Sequence, residues 1–93
     1  MKYLLKGTLV AKEGEREKLS DIMKRASALM LEKAVGCELY ELSYNDDEPN
    51  TIFITEIWAD KEAHQASLKI EEVRELINEA MPILADMQLD IKN

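Results

Sequence analysis

Cysteine and histidine are nearly absent from these 93 residues, which hold one of each, Cys37 and His64. A single cysteine forms no internal disulfide, and one cysteine with one histidine builds no N/S-ligand zinc site within a chain. The three glycines, Gly7, Gly14 and Gly36, are too scattered for a dinucleotide fingerprint or a phosphate loop. Nothing therefore signals a nucleotide, flavin, haem or metal, and any chemistry is expected to need no tightly held cofactor. Basic residues are also scarce: 12 Lys and Arg stand against 19 Asp and Glu, for a net charge of −7. Nucleic-acid binding rests on a basic footprint that neutralises phosphates, so no nucleic-acid partner is expected. An anionic membrane surface is disfavoured on the same ground. No apolar run approaches the roughly 20 residues of a membrane span. Lys6 breaks the apolar stretch near the start, which does not read as a secretory signal. The expected location is the cytoplasm.

What is present is ordinary globular material, 46% hydrophobic and 33% charged. The size predicts one domain over residues 1–93. A domain this small buries only about 60–65% of the surface of its unfolded chain, so its core is thin and a shared interface would help it.

The periodicity predicts an alternating series of elements. Residues 2–12 read as a strand with Tyr3, Leu5, Gly7, Leu9 and Ala11 on one face and Leu4, Lys6, Thr8 and Val10 on the other. Residues 15–33 follow a helical period through Leu19, Ile22, Met23, Ala26, Leu29 and Met30, with Glu15 and Glu17 at the end where negative charge suits the dipole. Gly36 reads as the stop. Residues 37–44 and 51–58 read as two strands of a hairpin across the polar turn 45–50. Asp60 is a candidate N-cap for a short helix over 61–68. A second helix follows on the stripe Ile70, Val73, Leu76, Ile77, Ala80, Met81 and Leu84, and Pro82 kinks or ends it. Residues 87–91 read as a last short strand. The methionines Met1, Met23, Met30, Met81 and Met87 are expected mainly to fill the core. This order, βαββααβ, predicts an α+β ferredoxin-like sandwich with helices on one face of the sheet. The bare face carries Leu and Ile positions and is expected to pair with a second copy, giving a homodimer through facing sheets.

Several runs then form a pattern: Gly36-Cys37-Glu38-Leu39-Tyr40-Glu41-Leu42 opening one strand, Ile54-Thr55-Glu56-Ile57-Trp58 ending the next, Glu62-Ala63-His64 and Ser67-Leu68 on the short helix, and Met81-Pro82-Ile83 closing the long one. In order and spacing they resemble the antibiotic biosynthesis monooxygenase domain family of dimeric α/β barrels. The resemblance implies a cavity between sheet and helices in each subunit. It also implies several possible activities: cofactor-independent oxygenation of phenols and quinols, haem degradation, or isomerisation of a sugar phosphate. The haem-degrading branch carries Asn, Trp and His where this chain has Gly7, Ser67 and Ile77. The isomerase reading, which ranks last, needs basic groups toward the cavity, for which Lys6 and a few helix lysines or arginines are the only candidates. Many members also carry a histidine nine residues after the strand tryptophan. Ser67 holds that position here, and the histidine stands three residues earlier, at His64, on the same helical face.

The candidate site follows from these residues. Trp58 is either a wall that stacks on an aromatic substrate or a core side chain, and the two roles are compatible. His64 titrates near neutrality and is a candidate base toward a phenolic hydroxyl, kept neutral if it lies near a helix N-terminus; otherwise it is a surface or capping residue. Glu56 shares Trp58's face of the strand, where burial would raise its pKa and make it a proton acceptor, or it is a structural hydrogen-bonding partner. Tyr40, Ile54 and Ser67 complete the substrate-contacting set with Trp58. Cys37 reads as a small buried hydrophobe, and the acidic loop Asp46-Asp47-Glu48 as a solvated turn. Two functions follow: an oxygenase for a small aromatic phenol or quinol, with His64 and Glu56 catalytic, or a non-enzymatic dimeric barrel of stress-response type that binds a small apolar or aromatic metabolite.

Overall fold

A computed structural model describes residues 2–92. Strand β1 spans Tyr3–Ala11, and its burial alternates residue by residue, as its two-residue period requires. Helix α1 spans Arg16–Lys33 and buries Leu19, Ser20, Ile22, Ala26 and Met30. It ends three residues before Gly36, whose φ of 88° lies in the left-handed region that glycine adopts freely. Strands β2 (Cys37–Ser43) and β3 (Thr51–Trp58) pair antiparallel. Helix α2 (Lys61–Ser67) begins at Asp60, whose carboxylate accepts from the Ala63 N–H at 2.7 Å. Helix α3 (Glu71–Ala80) passes through a 3-10 turn, Met81–Ile83, into β4 (Leu84–Lys92).

The four strands form one antiparallel sheet in the order β2-β3-β1-β4, the expected ferredoxin-like arrangement. The core lies between one sheet face and the helices. From the sheet it takes Tyr3, Leu5, Leu9, Ile52, Ile54 and Trp58, and from the helices Leu19, Ile22, Val73 and Leu76.

Four expectations are corrected. The last strand starts three residues earlier than read: Leu84 continues the helical stripe in sequence, but the turn at Pro82 ends helical geometry and Leu84 pairs with Ala11. Tyr44 lies just past β2, and its hydroxyl is hydrogen-bonded to that of Ser20 on α1. Met30 fills the core, but Met81 and Met87 are at least half exposed; Met1 lies outside the described residues. Finally, the bare sheet face is not uniformly apolar. Leu39, Ile57 and Leu4 lie side by side on it, but the next row across all four strands is Glu41, Thr55, Lys6 and Asp90.

Candidate active site

Three strands and one short helix bring the titratable side chains together on the covered face. Ile54, Glu56 and Trp58 alternate inward along β3. Glu56 and Trp58 are 6% and 0% exposed. The two-residue spacing aligns them, and the indole Nε1–H of Trp58 donates to Glu56 Oε1 at 2.9 Å. The antiparallel register sets Tyr3 opposite Trp58 and Tyr40 opposite Glu56. Helix α2 then lays His64 over the group. Its Nε2 is 4.0 Å from Glu56 Oε1. Its ring lies edge-on to Trp58, with centroids 5.4 Å apart, and tilted against Tyr3 at 5.5 Å.

Burial controls the electrostatics. It pushes the Glu56 carboxyl above the ordinary range, and the Trp58 hydrogen bond offsets part of that rise. It pushes His64 below its ordinary value. Both shifts favour the uncharged forms, so burial works against an ion pair across the 4.0 Å contact. Among the described residues, no cation contributes to the Glu56 shift. The helix dipole is not what keeps His64 neutral, since the residue sits in the last turn of α2, where the dipole favours imidazolium. Desolvation overrides it. Tyr40 is held protonated by its own burial and the neighbouring Glu56. Burial and Glu56 also raise the Cys37 thiol, which is only half-buried and approaches the Leu39 carbonyl. Such a thiol is a poor nucleophile.

The candidate residues read from sequence therefore fall into one neighbourhood. Ile54 and Tyr40 flank Glu56, and Trp58 and His64 touch it or approach it. Ser67 is set apart: it is 1% exposed, and its hydroxyl donates to the His64 backbone carbonyl at 2.6 Å. Tyr3 escaped the sequence reading as a site residue because its approach to His64 arises from the β1–β3 register, which no local pattern carries.

Between β3 and α2 the site is packed with side chains. Two hollows lie elsewhere. One of about 370 Å³ sits on the bare sheet face, lined in part by Lys6, Thr8, Phe53, Thr55 and Asp90. The other, of about 290 Å³, lies beside Arg16, Ser20 and Tyr44. On the covered side, Met87, Leu89 and Ile91 of β4 sit opposite Leu9, Gly7 and Leu5 and are each at least half exposed. The helices leave that edge of the covered face open. Among the described residues, no group of three or more His, Cys, Asp or Glu could hold a metal ion, and no helix is long and apolar enough to cross a membrane.

A family model described as antibiotic biosynthesis monooxygenase matches residues 3–79. No curated protein matches the sequence. Among solved structures, a candidate antibiotic biosynthesis monooxygenase from Chloroflexus aurantiacus shares 27% identity, with a TM-score of 0.85 over 100% of this chain and 94% of its own. A counterpart from Deinococcus radiodurans shares 22% identity, with a TM-score of 0.85 over 98% of this chain and 90% of its own. One from Nitrosomonas europaea shares 11%, with a TM-score of 0.92 over 99% and 88%. The last two speak for the fold alone.

Proposed function

The chain belongs to the antibiotic biosynthesis monooxygenase family, and on that premise we propose that it oxidises a small aromatic phenol or quinol with molecular oxygen, without a bound cofactor. The observation that carries this reading is the buried Glu56 carboxyl, hydrogen-bonded by Trp58 and approached by His64, whose charged form burial disfavours, with no cation in attendance among the described residues. An uncharged imidazole in a dry setting is suited to take a proton from a phenolic hydroxyl, and Glu56 to stabilise the imidazolium that forms. The phenolate then gives one electron to oxygen. The resulting radical and superoxide combine at a ring carbon, one oxygen atom stays on that carbon, and the other leaves as water with electrons and protons drawn from the substrate. Packing around Trp58 and Tyr3 keeps bulk water from the radical pair. The open apolar edge at Met87, Leu89 and Ile91 is where an aromatic substrate would first rest.

The same reading takes the molecule as a cytoplasmic homodimer through facing sheets, with residues 1–93 as one domain. Oxygen uptake against a panel of naphthoquinols, benzoquinols and anthrone-like phenols, corrected for autoxidation, tests the activity. Uptake should follow protein concentration and fall about a hundredfold or more in His64→Ala combined with Glu56→Gln. Unchanged turnover in that double variant would overturn the proton-acceptor assignment.

The open apolar edge at Met87, Leu89 and Ile91 serves equally a second reading, a non-enzymatic barrel that binds an apolar or aromatic metabolite. Trp58 has no exposed surface, so its ring is reached only after neighbouring side chains move. That reading predicts quenching of Trp58 fluorescence by an aromatic ligand with no oxygen uptake on any quinol.

A further inference from the structure

Helix α2 has seven residues and carries His64, and three contacts help to order it besides those of the His64 ring. Asp60 caps its first turn at the Ala63 N–H. The buried Ser67 hydroxyl bonds the His64 carbonyl. The third contact comes from outside the helix, at Gly36. The Gly36 carbonyl accepts from the Ala59 N–H at 2.8 Å. A Cβ placed on Gly36 would lie 2.8 Å from the Ala63 Cβ and 3.4 Å from the Ala59 Cβ. Real Cβ atoms essentially never come as close as 2.8 Å, and Ala63 has no flexible end with which to yield. Ala63 is the residue directly before His64.

We propose that Gly36 is a positioning residue: its missing side chain seats α2 against the start of β2 and thereby sets the distance between His64 and Glu56. The inference rests on the catalytic reading of that pair, but its test does not. The separation of 4.0 Å is beyond hydrogen-bond range and close enough that a few tenths of an ångström matter. Gly36 is thus constrained twice, by its left-handed backbone and by the surface of α2 above it.

The experiment is an NMR titration of the His64 imidazole, the chain's single histidine, in the full-length protein. In the parent protein, Glu56 from β3 and the rings of Trp58 and Tyr3 face that imidazole. Gly36→Ala should lift α2, hydrate the ring and move its midpoint up toward the ordinary value of about 6.5. Ala63→Gly in the same background should restore the parent midpoint, because it removes the other half of the clash and leaves the backbone strain at residue 36 in place. Should Gly36→Ala fail to fold, Ala63→Val crowds the same contact from the helix side with a stiff side chain and a native Gly36, and should give the same upward shift. A folded Gly36→Ala or Ala63→Val protein with the parent midpoint would overturn the proposal, as would a Gly36→Ala shift that Ala63→Gly does not reverse. Titrations that move as expected beside a silent oxygen assay would remove the enzymatic reading and leave the positioning role standing.

Discussion

The two faces of this sheet are built by the same strands and hold ionisable groups in opposite settings, one dry and one solvated. On the covered face Glu56 is buried beside Trp58, His64 and Tyr40 and keeps its proton more tightly than a free carboxyl group does. On the bare face, the row Glu41, Thr55, Lys6 and Asp90 crosses four strands with both signs represented. One step along β1, from Leu5 to Lys6, moves from one environment to the other. The comparison teaches where chemistry is available. A charge that water already solvates changes little when a substrate arrives. A carboxyl group held dry beside an imidazole responds strongly to a single proton.

The sharpest way to break the contrast is to open the covered face. Trp58→Ala should cost about 3–5 kcal/mol of stability and free the Glu56 carboxyl group of its donor, read as a drop in the urea midpoint of unfolding. A stability loss below about 1 kcal/mol, within the ordinary run of point changes, would mean that Trp58 is not the centre of this core. If the proposed homodimer forms through the bare face, Ile57→Glu there should weaken self-association at least about tenfold, roughly 1.4 kcal/mol, with little change in the folded monomer. Sedimentation equilibrium checks this, and an unaltered dimer would move the interface elsewhere.

A pH series sharpens the comparison further. Glu56 is raised in the folded state, so from the unfolded carboxyl value of about 4.3 up to its folded value the native protein binds more protons, and stability falls as pH rises. His64 is lowered, so from its folded value up to about 6.5 the unfolded chain binds more protons, and stability rises with pH. The two slopes oppose each other. Glu56→Gln should remove the falling one and leave a profile that only rises across the mildly acid range, measured by urea unfolding at several pH values. The smallest effect is expected on the bare face, where Lys6→Met should change monomer stability by no more than about 0.5 kcal/mol.

How far the sequence foretold this varies with how local the cause is. The faces of β1, the bounds of β3 and the Asp60 cap follow from neighbours within a few residues, and they appear as read. The start of β4 does not, because Leu84 fits a helical stripe until the turn at Pro82 redirects it. At the site, Glu56 and Trp58 share a face by strand period alone, so their pairing was legible. Tyr3 beside His64, Gly36 beneath Ala63 and the charged row across the bare face all depend on registers between distant segments. So does the open edge at Met87, Leu89 and Ile91, which is apolar in sequence but uncovered because the helices stop short of it.

The strand order also bears on how the chain comes to be folded. Leu5 ends up between Glu56 on one side and Ile91 on the other, so β1, synthesised first, gains its second neighbour only when β4 has been made. Until then one long side of β1 is an unpaired edge, with its backbone donors and acceptors free to recruit another strand. Contacts this distant in sequence slow folding and lengthen that exposure. A nascent or truncated chain lacking β4 would therefore aggregate through β1, even with the residues of the candidate site already in place.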